Sequence, residues 1–333
     1  MFRLTPVRSG ALGLLAALGL YAAFSAEYFG LEILTEIAIL SMLVIALDMV
    51  AGFGGMVSLC HGALLGIGAY AYAGLTTMTG ADPFLALLGA VVLTGIAGFL
   101  VGAVCAGSQG IYFIMVTLAF GQMAYAFFFE SAAFGGDDGI AGVPRLDLSG
   151  LGVDLGDSRS FVLFCMILLA LVTLFAAHIL RSGLGRTLVG LKTNEQRMRA
   201  LGVRSWRAKA YTFGISGMIA GLAGVLAAQH TMYISPGLLN WTVSGEALVV
   251  VILGGLGTLV GPLVGATAFV LIKHEVSALT PYWHLVTGVI LIAVVMSGAN
   301  GIFGFFEAQL ERLRNRSKPA VEGKLKQGSV HDA

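Results

Sequence analysis

From Phe84 to Phe129, 46 consecutive residues pass without one charged side chain. A single helix of that length would be about 69 Å long, more than twice the ~30 Å hydrocarbon thickness of a bilayer, so the run must fold back on itself. The break falls best at Gly107-Ser108-Gln109-Gly110, and two membrane spans result. Apolar residues are continuous here rather than alternating one by one, which excludes a membrane β-barrel. The whole chain is 57% hydrophobic and 11% charged, where a soluble domain carries about a quarter charged residues. The expected class is therefore an all-α polytopic membrane protein.

The other apolar segments follow the same logic. Ala11 to Ala26 is a short first span, followed by an acidic patch of Glu27, Glu32 and Glu36. Ile33 to Val50 is a second span, interrupted by Ala-Gly-Phe-Gly-Gly (Ala51 to Gly55). A third apolar segment runs on to Met78 and is closed by Asp82-Pro83. Residues 130–160, rich in Gly and Asp, form an external loop, and Val162 to Leu180 is the sixth span. After a polar interval come Tyr211 to Gln229, the uncharged stretch Ala247 to Ile272, and a last segment from His284 to Phe306. Ala247 to Ile272 is broken at Gly254 to Gly257 and at Gly261-Pro262. Read as two short helices it brings the total to ten spans; read as a re-entrant hairpin, to eight. Arg3 and Arg8 ahead of Ala11 to Ala26, with Ala23-Phe24-Ser25, also fit a cleaved signal peptide. A retained first helix is the simpler account in a chain with so many later spans.

Charge sets the orientation. The formal net charge of +1 hides a segregation in which 16 of the 19 basic residues are Arg3 and Arg8, the central interval, or the tail from Arg312 to Lys326. The central interval, Arg181 to Lys209, holds eight Lys or Arg residues against one acid, Glu195. Basic loops stay on the cytoplasmic side, and six crossings carry a cytoplasmic N-terminus to a cytoplasmic central loop. The organisation expected is a cytoplasmic N-terminus (1–10), a first membrane half (11–180), a cytoplasmic loop (181–210), a second membrane half (211–306) and a cytoplasmic tail (307–333). A weak internal repeat accompanies the halves: with Gly52-Phe-Gly54 set on Gly255-Leu-Gly257, Gly62-Ala63 falls on Gly265-Ala266 without a gap. Gly-interrupted hydrophobic segments at matching places in two halves point to a transport path, because unwound backbone at depth must line a cavity or be buried in protein. Chance matches among 47 glycines are the competing explanation.

Several stretches resemble one family: Gly52 to Tyr70 (GFGGMVSLCHGALLGIGAY), Gly110 to Gln122 (GIYFIMVTLAFGQ), the central interval, Gly254 to Gly265 (GGLGTLVGPLVG) and Tyr282 to Gly304. In that order they are similar to the membrane permease of bacterial ATP-driven (ABC) importers for branched-chain amino acids, the LivM type. The resemblance implies an inner-membrane permease that pairs with a homologous second permease, two ATPase subunits at the cytoplasmic loop and a periplasmic substrate-binding protein. It also places Asn194, Glu195, Ala200, Leu201 and Gly202 in a short coupling helix that fits a groove on the ATPase. Leu191, Met198 and Leu201 fall near one helical face and can form an apolar anchor, with Arg197 and Arg199 as rim charges. Gly202 would end the helix through a positive φ. The family usually carries an acid immediately before Ala-Leu-Gly, where this chain has Arg199.

The chain has no phosphate-cradling GxxxxGK[ST] string, so no cofactor is expected in it and ATP would be used by partner subunits. Cys60, Cys105 and Cys165 share no metal-ligand spacing and read as small buried hydrophobes. No basic patch is interleaved with aromatics, which argues against nucleic acid. Ionisable residues inside apolar runs are costly unless paired or facing water. Asp48, His61 and Glu246, with Gly52, Gly54, Gly55, Gly254, Gly255 and Gly257 at the two breaks, are the candidate translocation-path residues. Three other functions were weighed: the same importer class carrying urea or short amides, an ion-coupled transporter titrating Asp48 and Glu246, and an intramembrane serine protease. The protease reading rests on Gly214-Ile-Ser216-Gly217, with His230 or His284 as base. The same glycines, continued by Gly221 and Gly224, read better as a small-xxx-small packing face.

Overall fold

The computed structural model describes residues 6–25, 27–147 and 154–280, with scattered residues between 282 and 304. Eleven helices lie in the continuous part: α1 (Pro6–Ser25), α2 (Tyr28–Asp48), α3 (His61–Ala73), α4 (Pro83–Cys105), α5 (Ile111–Glu130), α6 (Ser158–Arg181), α7 (Gly183–Thr193), α8 (Glu195–Ala200), α9 (Ser205–Thr231), α10 (Trp241–Gly254) and α11 (Gly261–Leu279). Both α2 and α3 end in a wider π-helical turn, Met49–Phe53 and Gly74–Met78. Among the described residues, six helices are long and apolar enough to cross a membrane: α2 with its π turn, α4, α5, α6, α9 and α11. The protein is an all-α polytopic membrane protein.

Local sequence explains most helix starts. Asp82 accepts hydrogen bonds from the amides of Phe84 (2.8 Å) and Leu85 (3.3 Å), with Pro83 at the first helical position of α4, where its missing N–H costs nothing. Asp157, Ser182, Asn194 and Asn240 cap α6, α7, α8 and α10 in the same way. The reversal expected at Gly107 to Gly110 is where α4 turns into α5.

Three expected boundaries move. The second span starts at Tyr28 rather than Ile33, so Glu32 joins Glu36 within the helix. There they find partners on later helices: Glu32 meets His230 of α9 at 3.1 Å, and Glu36 meets Lys273 (2.6 Å) and His274 (2.9 Å) of α11. Ser205 to Lys209, assigned to the polar interval, are the first turn of α9. The stretch 247–272 lies in two helices, α10 of 14 residues and α11 of 19, which begin before it and end after it. Most of the last segment, 284–306, lies outside the described residues.

The helices α2 and α9 form the centre, with 72% of the apolar window of each buried, while α4, α5 and α11 stand at the periphery with 22–28% buried. At one end of the bundle, a two-residue antiparallel pair joins Ile140–Ala141 to Tyr233–Ile234, and Tyr72 donates to the carbonyl of Pro144 at 2.9 Å. The opposite end gathers the Gly-rich break after α2, the α4–α5 reversal, and α7 with α8.

Candidate functional site: two helix breaks and the loop fastened to them

The two glycine-rich interruptions, 203 residues apart in the repeat that aligns them, meet in space. The amide of Gly257 donates to Asp48 Oδ1 at 2.7 Å. A Cβ on Gly52 would lie 2.6 Å from the Gly257 nitrogen, so only hydrogen at this position allows the approach. The turn from α10 to α11 is tight, with positive φ at Gly255, Gly257 and Leu259. Asp48 has no solvent exposure. A buried carboxylate that accepts a backbone N–H is acting as a structural pin, satisfying an amide that the broken helix leaves without a carbonyl.

The connection from the first break into α3 is also buried and polar. Ser216 of α9 lies 2.6 Å from the Ala46 carbonyl, to which its hydroxyl must donate. His61 Nε2, 2.8 Å from the same Oγ, is then the donor to it, and Nδ1 accepts from Ser58 Oγ at 3.1 Å. The amide of Leu59 donates to Thr117 Oγ1 (3.2 Å), and that of Gly62 to Ser244 Oγ (2.8 Å). Side chains from α5, α9 and α10 thus replace the hydrogen bonds that a continuous helix would have made. A protease needs the serine proton to pass to the histidine; here it points at a main-chain carbonyl, and neither side chain has any exposure. Of the histidines considered as base, His230 is paired with Glu32 and His284 lies outside the described residues.

The loop between the halves is two helices rather than one. Asn194 takes an extended conformation (φ −161°, ψ 102°) and accepts the Arg197 amide at 2.9 Å, so it stops α7 and starts α8. This break corrects the expected apolar anchor. Leu191, on α7, is 7% exposed and faces the core; Leu201 is 73% exposed; Met198 packs back against Gly190. The three do not share a face. Gly202 has φ +85°, and the Val203 amide reaches back to the Met198 carbonyl at 3.1 Å, a glycine C-cap of the kind the sequence suggested.

Glu195 holds this loop together. Its carboxylate accepts from Gln109 of the α4–α5 turn (2.8 Å), Arg199 (2.7 Å) and Lys209 of α9 (3.0 Å). Burial raises its pKa, but the hydrogen bonds from Lys209 and Arg199 outweigh it and leave the group below the ordinary carboxylate value. Arg199, where the family usually has an acid, is thereby explained: it partners Glu195 one turn earlier and also donates to Ser205 Oγ at 3.1 Å. Lys209 further donates to the Ala106 carbonyl (3.1 Å), and Lys192 to the Gly52 carbonyl (2.6 Å). A cavity of about 290 Å³ lies between the loop and the first break, lined by Gly54, Gly55, Gln109, Lys192, Glu195 and Lys209 among others.

The sequence candidates therefore separate. Asp48, Gly52, His61, Gly254 and Gly257 converge on one seam. Glu246 is exposed on the flank of α10, and Ala200 and Leu201 face outward. Gln109, Lys192, Ser58, Ser244 and Thr117, which complete the seam and the loop, were not singled out by sequence. Lys192 stood in the basic central interval, but nothing in the sequence tied it to a break 140 residues away.

The fold is a helical membrane bundle interrupted at its centre, with a structured basic loop fastened to the interruption. The chain belongs to the family described as branched-chain amino acid transport system, permease component, which matches residues 29–295. It is similar to the high-affinity branched-chain amino acid transport system permease protein LivM of Salmonella typhimurium, 28% identical over 309 residues covering 86% of this chain and 73% of that one. The corresponding Escherichia coli protein is 29% identical over 306 residues, 84% and 72% of the two chains. The autoinducer 2 import system permease protein LsrC of Yersinia enterocolitica is 26% identical over 166 residues, 45% of each chain. No solved structure matches.

Proposed function

We propose that this chain is the permease subunit of an ATP-driven, binding-protein-dependent importer for branched-chain amino acids. The observation that carries the reading is the loop. The end of α8 and the first turn of α9 present Arg197, Leu201, Trp206 and Arg207 outward, while Glu195, Lys209 and Lys192 tie the loop to the membrane core. An exposed leucine and tryptophan rimmed by arginines suit docking to a soluble partner, and the partner proposed is a pair of ATPase subunits. Asn194, Glu195, Met198 and Gly202 then shape the coupling element, and Ala200 and Leu201 touch the partner.

The proposed complex contains a second, homologous permease and an external binding protein. The chain makes ten crossings of the bacterial inner membrane, with both termini and the loop in the cytoplasm, in keeping with the basic excess of the loop and tail. It performs no chemistry; ATP binding by the partners moves the loop and switches access to the path.

The test is purification in mild detergent from native membranes, then uptake after reconstitution with the binding protein. Wild type should bring down the ATPases and a second permease, and should take up leucine, isoleucine or valine only with ATP. Gly202→Pro, which forbids the φ of +85°, should lose the ATPases. Uptake of urea or a short amide in place of leucine would keep the importer and change its substrate. ATP-independent, ion-driven uptake would overturn the reading.

A further inference from the structure

We propose that Lys192 is the positioning residue through which the docking loop controls the contact between the two helix breaks. This rests on the importer reading. Lys192 lies in the last turn of α7, and its ammonium donates to the carbonyl of Gly52 at 2.6 Å, across 140 residues of sequence. Gly52 stands in the π-helical turn that ends α2, where carbonyls have run out of helical amides and a cation is favoured by the helix dipole.

The lysine stem has a place prepared for it. A Cβ on Gly55 would come within 2.8 Å of Lys192 Cγ, and Gly55 has φ +68°. A side chain there would displace the stem, so the glycine keeps the route open. Beyond the carbonyl, the linkage passes on without slack: Gly52 abuts the Gly257 nitrogen, and Gly257 donates to Asp48 Oδ1.

One ammonium therefore joins the loop, the end of α2 and the turn between α10 and α11. Lys209, the other lysine reaching a main-chain carbonyl here, does a different job. It belongs to α9 itself and fastens the loop to the end of α4, which leaves the breaks untouched. If partner movement draws α7 away, the Gly52 carbonyl loses its donor, and an acceptor left unpaired beside the packed Gly52–Gly257 contact is costly. The Asp48–Gly257 pin must then rearrange, so displacement of the loop becomes displacement of both breaks.

The experiment compares wild type, Lys192→Met and Lys192→Arg in the complete reconstituted complex, measuring complex yield, ATP hydrolysis and leucine taken up per ATP. In the methionine variant, yield and hydrolysis should stay within about twofold of wild type, while uptake per ATP falls by roughly tenfold or more, the scale of one lost charge-assisted hydrogen bond. Arginine, which can still donate to the carbonyl, should recover most of the coupling. Wild-type uptake per ATP in the methionine variant overturns the proposal, and so does loss of the ATPases from it, which would make Lys192 a docking residue. Should the methionine variant fail to accumulate, Lys192→Leu, which also lacks a donor, is judged by the same criteria. Absence of ATP-dependent uptake in wild type itself would instead overturn the importer reading on which the linkage rests.

Discussion

Where α4 crosses α9, Gly95 and Gly98 of one helix meet Gly214 and Gly217 of the other, Gly102 meets Ala210 and Phe213, Gly221 meets Thr94, and both helices run on unbroken. Between α2 and α3, and again between α10 and α11, glycines mark where helices stop. At the crossing, a Cβ on Gly217 would lie 2.7 Å from the Thr94 carbonyl and 3.2 Å from Gly98 Cα. The backbones are in contact, and the gain is close packing between helices that have no hydrophobic force to join them in lipid. At the first break, Gly52 lies against Asp48 and Gly55 against Lys192, both hydrogen-bonding side chains. One region locks two helices together. The other leaves backbone groups to be satisfied by side chains, and side-chain partners can be exchanged. Glycine content alone does not distinguish the two; the company each glycine keeps does.

The comparison predicts that the crossing fails by unfolding and the breaks by losing function. The largest effect is expected for Gly217→Leu. Overpacking costs about 1–3 kcal/mol even in cores that can adjust, and this contact is backbone on backbone, so monodisperse protein in size-exclusion chromatography should nearly vanish. Recovery of a normal peak would mean that the helices can part without harm.

Gly257→Ala comes next. Its φ of +75° costs an alanine about 1–2 kcal/mol, small enough for the helices to assemble, and the added methyl would press on the Gly52 carbonyl at 3.2 Å. The purified variant should elute as wild type yet lose roughly tenfold in uptake, the rate equivalent of that strain. A normal transport rate would remove the breaks from the mechanism.

The smallest and most discriminating effect is at Asp48. Asp48→Leu leaves the Gly257 amide buried without an acceptor, at about 1–3 kcal/mol, whereas Asp48→Asn keeps an oxygen for it at little cost. Thermal unfolding should therefore separate leucine from asparagine. Equal destabilisation by both would show that the charge, rather than the hydrogen bond, holds the breaks together.

Much of the bundle was legible because its signals are local. Asp82-Pro83 caps a helix wherever it sits, and a 46-residue uncharged run must reverse at its polar glycine cluster. The break at Asn194 could also have been read, since asparagine followed three residues later by a free amide is an ordinary helix start. It was obscured by the spacing of Leu191, Met198 and Leu201, which fits one helical face only if the helix is continuous. Glu32 misled in another way. An acid near a span end looks like its boundary, yet α2 carries Glu32 as well as Glu36 inside because His230, Lys273 and His274 arrive from α9 and α11 to meet them.

By itself the sequence determined that the chain lives in a membrane, that it is helical, and where the polar loop stands between two apolar halves. Those follow from a backbone that must satisfy its own hydrogen bonds wherever water is absent. Only the tertiary structure decided that Asp48 pins Gly257 across 209 residues, that His61 donates to Ser216 across 155, and that Lys192 reaches Gly52 across 140. A broken helix in an apolar interior leaves donors and acceptors that must be paired, and which partners pair with them depends on the helices that packing brings alongside.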